Sequence, residues 1–250
     1  MSGETSGNGS PTVVLVHGAF ADASSWNGVI ERLQARGVNV LAPSNPLRGI
    51  VSDSAYISTV LEQIAGPVVA VGHSYGGAVI TNAATDAKNV VGLVYVSAFP
   101  TEEGETLYAV EAGSKDSVLG AALVPRQYPT GNGGSATEFY IDPAKVREAF
   151  AGDLSDRQVA LIGATQRPIA ESGFSEPGGP PAWKDRPSWA VVASGDKAAG
   201  ADVVRSMAER AGATITELEG SHVIMVSQPE AVTNVIMEAV GAVAQVPVGV

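Results

Sequence analysis

Apolar runs of five to seven residues recur along the chain and are separated by stretches in which apolar residues have helical spacing. The runs are apolar at most positions, which is typical of parallel strands that are covered by helices on both faces. They comprise Thr12–Val16, Val38–Ala42, Pro67–Val71, Val90–Val96, Trp189–Ala193 and Ala213–Leu218. The pattern predicts an α/β fold in which about six strands form a mainly parallel sheet with right-handed crossover connections.

Three stretches between these runs are predicted to be helices, because apolar residues recur at intervals of three and four and a glycine follows. Their apolar positions are Trp26, Val29, Ile30 and Leu33 before Gly37; Tyr56, Val60 and Ile64 before Gly66; and Val203, Val204, Met207 and Ala211 before Gly212. A fourth stretch, Ala231–Val250, has Glu238 as its only charge. We predict an amphipathic helix there, since a bilayer would disfavour the glutamate, and expect it to form a homodimer contact or to pack beneath the inserted segment described next.

The alternation of strands and helices stops between Pro100 and Pro187. Two helices are predicted in this segment, Pro143–Ala151 with a proline in its first turn and Ser155–Gln166 with Ser155 as its N-cap. No parallel strand is predicted there. Because ligands bind at the carboxyl edge of a parallel sheet, an insertion at that edge covers the binding site.

The chain is therefore divided into a core and a cap. Residues 12–100 and 188–250 are interpreted as the core, and residues 101–187 as an inserted cap or lid. Residues 1–11 lack the basic and apolar regions of a signal peptide, and we expect a flexible lead-in there.

Composition narrows the classes of function. Charged residues make up 16% of the chain and hydrophobic residues 45%, which excludes intrinsic disorder. The formal charge is −11, from 15 basic and 26 acidic residues, so phosphate backbones and anionic lipids would be repelled. We expect a cytoplasmic protein that binds neither nucleic acid nor membranes. The absence of cysteine excludes disulfides, thiolate metal sites and a cysteine nucleophile, and no metal or cofactor is expected.

A Gly-x-Ser-x-Gly pentapeptide at residues 72–76 follows the third predicted strand and precedes the apolar stretch Ala78–Ala84. In this context the motif predicts a nucleophile elbow, a sharp turn that strains the serine backbone and requires small residues two positions before and after it. Ser74 is therefore the candidate nucleophile. The alternative is a glycine-rich turn in which Ser74 caps a helix.

A serine hydroxyl needs a neighbouring base, and the chain has three histidines. His73 adjoins Ser74, and its position in the elbow directs its side chain away from the hydroxyl. His17 ends the first strand, where we favour a structural hydrogen bond. His222 follows the last strand at the same sheet edge as Ser74 and is the candidate base; the alternative is a surface loop histidine.

An acid is needed to fix the tautomer of the histidine and to stabilise its cation. Asp196 follows the strand Trp189–Ala193, and the chain order Ser, Asp, His is that of α/β-hydrolases. Alternatives are Glu102, Glu103 and Glu105, which follow the preceding strand. Asp53 and Asp86 are interpreted as helix-boundary residues, and Asp196 itself could be only a helix cap.

Backbone amides complete the predicted site. The N–H groups of Tyr75, just after the nucleophile, and of Ala19, in the turn after the first strand, are the candidate oxyanion hole. The Phe20 N–H is the next choice, and its ring is a candidate wall of the substrate pocket. Met225 could reach the same pocket or serve as core filler. Trp26 is interpreted as packing.

Four segments together resemble the α/β-hydrolase superfamily. They are His17–Phe20 with Trp26 six residues on, Val71–Gly77, Gly195–Lys197 and Ser221–Pro229. Within the superfamily they resemble the branch of plant methylesterases, hydroxynitrile lyases and bacterial carboxylesterases, including pyrethroid hydrolases. The resemblance covers residues 12–100 and 188–245, and it implies the same nucleophile, acid and base.

The chain departs from this family at two places. Only eleven residues precede the first predicted strand, so we expect the two leading antiparallel strands of the full fold to be absent. The family often has an Ile-Pro pair soon after the acid, where this chain has residues 198–200, Ala-Ala-Gly.

The residues and the resemblance predict a serine hydrolase of small to medium, mostly apolar carboxylic esters. A cofactor-free hydroxynitrile lyase is an alternative, but such lyases carry a lysine directly after the catalytic histidine, where this chain has Val223. A perhydrolase would use the same three residues, and a non-catalytic binding protein could keep them. Haloalkane dehalogenases and most epoxide hydrolases have aspartate at the position of Ser74.

Overall fold

A computed structural model describes residues 10–131 and 133–244. The strands are β1 (Thr12–Val16), β2 (Val40–Leu41), β3 (Val68–His73), β4 (Val90–Val96), β5 (Leu123–Pro129), β6 (Ser135–Ile141), β7 (Ile169–Ala170), β8 (Ser188–Ala193) and β9 (Thr214–Leu218). The helices are α1 (Asn27–Ala35), α2 (Ile50–Glu62), α3 (Tyr75–Asp86), α4 (Leu107–Glu111), α5 (Leu119–Ala122), α6 (Val146–Ala149), α7 (Asp156–Thr165), α8 (Ser172–Ser175), α9 (Ala201–Arg210), α10 (Ile224–Ser227) and α11 (Pro229–Val243). Short 3-10 turns span Ala23–Trp26 and Ala182–Lys184. Most of the expected N-terminal lead-in lies outside the described residues.

Six parallel strands form the central sheet in the order β2-β1-β3-β4-β8-β9, as the apolar runs predict. Every residue of β3 and β8 is buried, which explains why those runs are apolar at nearly every position. The edge strands differ. β2 is only two residues long, and no residue of β9 is fully buried, with Thr214 and Glu217 exposed, since one side of an edge strand has no neighbouring strand.

The predicted helix before Gly66 exists as α2, but its predicted packing face is wrong. Ile50, Ile57 and Leu61 are buried in α2, whereas Tyr56 is 48% exposed. Helix α2 packs along α3, and this contact buries the stripe that lies one residue from the predicted one. An adjacent residue on a helix points about 100° away, so a shift of one position changes the face.

The C-terminal helix α11 packs against α1, β4 and β8. Its buried residues are Val232, Thr233, Val235, Ile236, Ala239, Val240 and Val243. The prediction that it packs beneath the cap is therefore wrong, because its apolar face covers the central sheet. The homodimer contact stays a prediction. Residues 245–250 of the predicted helix lie outside the described residues.

The segment 101–187 contains a second sheet, which is antiparallel and has the order β5-β6-β7. The sequence pattern does not predict this second sheet, because β5 contains Pro125 and Pro129, and proline weakens a strand prediction. Both prolines are tolerated because β5 is an edge strand. The second predicted helix is confirmed as α7, where Ser155 and Gln158 form a capping box, while the first is limited to α6.

None of the described helices is both long enough and apolar enough to cross a membrane.

Candidate active site

Ser74 occupies a sharp turn between β3 and α3, with φ 53° and ψ −125°. A positive φ is strained for a residue with a side chain. Glycines make the turn possible: a Cβ on Gly72 would lie 2.5 Å from the carbonyl oxygen of Gly76, and one on Gly18 would lie 2.7 Å from the Ser74 Cβ. The predicted elbow conformation is therefore present, and the glycine after the first strand is part of it.

Asp196 and His222 lie on the turns that follow β8 and β9, at the sheet edge where β3 delivers Ser74. The His222 Nδ1 lies 2.8 Å from Asp196 Oδ2, and each side chain is 1% exposed. A neutral imidazole that donates from Nδ1 has its lone pair on Nε2. The contact with Asp196 thus leaves Nε2 of His222 as a proton acceptor.

The small residues after Asp196 support this arrangement. Asp196 Oδ1 accepts hydrogen bonds of 2.9 Å from the N–H groups of Ala198 and Ala199. Oδ2 remains for His222. Two backbone amides of residues 198 and 199 therefore help to position the carboxylate.

The three alternative acids lie elsewhere. Glu102 pairs with Lys184 at 2.5 Å, and Glu105 pairs with Arg210 at 2.5 Å, and these partners lower the pKa of each carboxyl. Glu103 is exposed. None of the three has a hydrogen bond to His222 among the described residues, so Asp196 is the acid that the structure pairs with the histidine.

Ser74 and His222 line one cavity at the carboxyl edge of the sheet, beneath residues of the cap. The other residues of its wall are Ala19, Phe20, Tyr75, Phe99, Leu107, Glu111, Leu119, Phe150, Phe174, Ala198 and Ala199. Its free volume is about 10 Å³. That is room for roughly one water molecule.

The other two histidines have structural hydrogen bonds. His17 Nε2 accepts from the Asn45 N–H at 2.9 Å while Nδ1 donates to the Gly18 carbonyl at 2.9 Å, which confirms the predicted structural role. His73 Nε2 donates to the His222 carbonyl at 3.0 Å. Burial lowers the pKa of His17 and lowers that of His73 well below its usual value, so both stay neutral.

The candidate oxyanion amides are distinguished by their partners. The Phe20 N–H donates to the Arg167 carbonyl of the cap at 3.0 Å and is therefore engaged. The N–H groups of Ala19 and Tyr75 have no acceptor within residues 10–131 and 133–244, and both residues line the cavity. Two amides can thus still donate next to Ser74.

The two predicted pocket residues lie in different places. The Phe20 ring lines the cavity and contacts the ring of Phe150 edge to face, with 6.1 Å between centroids. Met225 lines a neighbouring pocket of about 260 Å³, whose wall also includes Phe20 and Phe150. Trp26 is fully buried, as its predicted packing role requires.

Asp53 contributes a contact that the sequence analysis missed. It lies in the first turn of α2, as predicted for a helix-boundary residue, but it is fully buried and accepts a hydrogen bond of 2.8 Å from the Tyr75 hydroxyl. Burial raises the pKa of Asp53. Asp53 therefore anchors the residue that follows Ser74. The sequence pattern does not predict this contact, because Asp53 and Tyr75 are 22 positions apart in the chain.

Two further carboxylates of the cap reach the site. Asp153 accepts a hydrogen bond from the hydroxyl of Ser221, the residue before His222. Burial opposes ionisation of Asp153, but hydrogen bonds from Ser221 and Ser227 outweigh this and lower its pKa. Glu111 of α4 lines the cavity itself. Neither residue belongs to a recognisable motif.

A serine on a strained elbow, a buried His–Asp pair and a six-stranded parallel sheet with an inserted cap together define an α/β hydrolase. The sequence model of the alpha/beta hydrolase family matches residues 13–235, and the chain belongs to this family. The match confirms the resemblance drawn from the motifs.

Three curated proteins illustrate the similarity. A carbendazim hydrolyzing esterase from Nocardioides sp. is 33% identical over 110 residues, 39% of this chain and 46% of the esterase. A pyrethroid hydrolase from Sphingobium wenxiniae is 30% identical over 154 residues, 56% of this chain and 55% of the hydrolase. A putative chloroplastic methylesterase from Arabidopsis thaliana is 27% identical over 173 residues, 62% of this chain and 44% of the methylesterase. The matched regions span about half the length of these relatives.

Solved structures extend the similarity to the whole fold. Polyneuridine aldehyde esterase superposes with a TM-score of 0.78 at 20% identity, covering 92% of this chain and 99% of the esterase. A pyrethroid hydrolase from Sphingobium faniae superposes with a TM-score of 0.76 at 22% identity, covering 94% of this chain and 99% of the hydrolase.

Proposed function

We propose that the protein is a serine hydrolase that cleaves carboxylic esters of small to medium, mostly apolar substrates through an acyl-enzyme on Ser74. The observation that carries this proposal is the cavity shared by Ser74 and His222, with His222 Nδ1 held 2.8 Å from Asp196 Oδ2. The names of the similar curated proteins, an esterase, a methylesterase and a pyrethroid hydrolase, support the same class of reaction.

In the first half-reaction the Ser74 hydroxyl oxygen attacks the ester carbonyl carbon as Nε2 of His222 takes its proton. The carbonyl oxygen becomes an oxyanion and accepts hydrogen bonds from the N–H groups of Ala19 and Tyr75. The carbon–oxygen bond to the alcohol then breaks, and the protonated His222 gives its proton to the departing alcohol.

In the second half-reaction a water molecule attacks the acyl carbon and gives a proton to His222. The bond to Ser74 breaks, the serine regains its proton, and the carboxylic acid leaves. Asp196 accepts the hydrogen bond from Nδ1 of His222 throughout and stabilises the imidazolium cation at each proton transfer. The sequence of steps requires no group beyond these side chains, the backbone amides and water.

The wall of the cavity supports apolar substrates. Five large apolar side chains line the cavity beside the serine, and none of them can hydrogen bond to a substrate: Phe20, Phe99, Leu107, Phe150 and Phe174. Burial of apolar substrate surface against such a wall is favourable, whereas a highly polar acyl group would lose its hydration without compensation.

Steady-state hydrolysis of a small aryl ester tests the proposal with a matched pair of variants. Asp196→Asn places a neutral amide beside His222 and is expected to lower kcat by about 10³–10⁴-fold, because the imidazole loses its tautomer control. Ser74→Ala should retain no acyl-enzyme turnover. Glu103→Gln makes the same chemical change at an exposed carboxylate outside the cavity, and its kcat should stay within about twofold of the wild type.

Two outcomes would contradict the assignment. If Glu103→Gln abolished turnover while Asp196→Asn did not, the wrong acid has been assigned. If the folded Ser74→Ala variant hydrolysed the ester as fast as the wild type, the nucleophile would have to be another group. Circular dichroism of each variant separates loss of the fold from loss of chemistry.

A further inference from the structure

One ionisable side chain of the cap enters the cavity and has no role in the steps above. Glu111 ends helix α4, and it lines the same wall as Ser74 and His222. Its carboxyl oxygens have no hydrogen-bond or ion-pair partner within residues 10–131 and 133–244. Glu111 is half-buried, and a carboxyl group beside an apolar wall loses part of its hydration, which favours a hydrogen-bond partner there.

Burial and one nearby carboxylate set the direction in which the pKa of Glu111 is shifted. Asp196 faces it from the turn after β8, and His222 lines the same cavity from the loop after β9. Tyr108 lies on its own helix, and Glu171 precedes α8, which packs on that helix. Burial, with a smaller contribution from Asp196, raises the pKa of Glu111 to about 8. The side chain is therefore mostly an un-ionised acid at neutral pH, with an O–H group to donate.

We propose that Glu111, which lines the cavity of Ser74 and His222 without a partner among the described side chains, is a specificity-determining residue whose carboxyl group donates a hydrogen bond to a second oxygen of the substrate, a ketone or ether oxygen placed beside the ester that Ser74 attacks. This inference rests on the proposed ester hydrolysis and deepens it. The preferred substrate is thus an apolar ester that carries one additional hydrogen-bond acceptor.

A neutral acceptor fits this site better than a substrate cation. The remaining side chains of the wall are apolar apart from Ser74, His222 and Tyr75, and the Tyr75 hydroxyl is already bonded to Asp53. An ammonium group would lose its hydration there, with Glu111 as its one new partner. A ketone or ether oxygen needs only the single donor that Glu111 offers.

The test compares esters that differ by one oxygen. In each of two pairs a ketone replaces a methylene group, once in the acyl chain and once in the alcohol part, and the ratio of kcat/KM within the pair is measured against pH. For at least one pair the wild-type ratio of oxo to parent ester should exceed that of a variant without a donor at residue 111 by about tenfold near pH 7, the effect of one hydrogen bond. This excess should disappear above about pH 9, where Glu111 has lost its proton. Ionisations of the enzyme that change kcat/KM equally for both esters of a pair cancel in this ratio.

Two variants isolate the carboxyl group. Glu111→Gln keeps an N–H donor of similar size, so its preference should persist without the alkaline loss. Glu111→Leu keeps the bulk but has no donor, so its ratio should be about tenfold lower than that of the wild type near pH 7 and should not change between pH 7 and pH 9. Glu103→Gln, outside the cavity, should behave as the wild type. A ratio that is equal in wild type and Glu111→Leu would overturn the inference. The inference would also fail if an ester with an ammonium group in place of the ketone gave the wild type a higher kcat/KM than the oxo ester.

Labelling with a neutral fluorophosphonate, which lacks the extra oxygen, separates the two proposals. If Ser74 reacts in every variant but the oxo preference does not depend on Glu111, only the specificity inference fails. If folded wild-type protein neither reacts nor hydrolyses either ester pair, both fail. Should Glu111→Leu not fold, the pH dependence of the wild type and the response of Glu111→Gln still decide the outcome.

Discussion

Tyr75→Phe removes one hydroxyl group from the residue that follows the candidate nucleophile. In the wild type this hydroxyl donates to Asp53 Oδ2 at 2.8 Å. The Arg48 N–H donates to the same carboxylate at 3.0 Å, and Asp53 is fully buried. The ring of Tyr75 keeps its packing in the variant, so the substitution isolates the hydrogen bond to the buried carboxylate.

The expected cost follows from that geometry. A hydrogen bond to a charged group contributes about 1.5–3 kcal/mol, and a buried carboxylate that loses a donor cannot recover it from water. We expect the free energy of unfolding at neutral pH to fall by about 2–3 kcal/mol. For a chain of this length that corresponds to a decrease in Tm of about 4–12 °C.

The effect should depend on pH in a defined direction. Burial already raises the pKa of Asp53 above its ordinary value, and loss of the Tyr75 donor raises it further. A raised pKa in the folded state means that folding takes up a proton, so the stability penalty of Tyr75→Phe is largest where Asp53 is ionised. The penalty should shrink as the pH falls through the pKa of Asp53 in the folded protein.

Urea unfolding followed by circular dichroism, at neutral pH and at about pH 5, measures both effects. Tyr56→Phe is the matched control, because Tyr56 also lies beside this region on α2 but is 48% exposed and has no hydrogen bond among the described residues. Its stability should change by less than about 0.5 kcal/mol. If Tyr75→Phe were as stable as Tyr56→Phe, the anchoring role of Asp53 would be refuted.

Three other variants extend the account. Asp153→Ala removes the acceptor of the Ser221 hydroxyl and should lower kcat about tenfold in steady-state kinetics, because His222 is then misplaced. An unchanged kcat would argue against this positioning role. Phe150→Ala removes a ring that lines both the cavity and its neighbouring pocket. The ratio of kcat/KM for a bulky acyl ester to that for a small one should therefore rise about tenfold. An unchanged ratio would show that Phe150 does not limit substrate size. Burial lowers the pKa of His73, so this histidine is neutral in the folded protein and takes up a proton on unfolding at low pH. The free energy of unfolding should therefore decline below about pH 6.5 by up to about 1.4 kcal/mol per pH unit. His73→Gln should reduce that slope in urea unfolding across this pH range.

The features that sequence predicts best are those encoded by neighbouring residues. The strand runs are apolar because both faces of β3 and β8 are buried, and the motif around Ser74 includes the close approach of Gly72 to Gly76, four positions away. His222 could be selected because only three histidines exist and two adjoin strand ends where they bind backbone groups. Local patterns were sufficient for these assignments.

The features that sequence predicts poorly depend on contacts between distant residues. The packing face of α2 is decided by α3, and the edge position of β5 permits prolines that read as loop. Glu111 and Asp153 enter the site from short cap elements that have no motif, and Asp53 reaches Tyr75 across 22 positions. In each of these cases the partner, rather than the local pattern, determines what the residue does.

The central claim is that Ser74 is a nucleophile activated by His222 and Asp196. Mass spectrometry after reaction with a fluorophosphonate tests it directly, since this reagent captures an activated serine and leaves ordinary hydroxyls unmodified. We predict one adduct per chain, mapped to Ser74, absent from Ser74→Ala and formed far more slowly in Asp196→Asn. Folded protein that forms no adduct, or forms it on a different residue, would contradict the account.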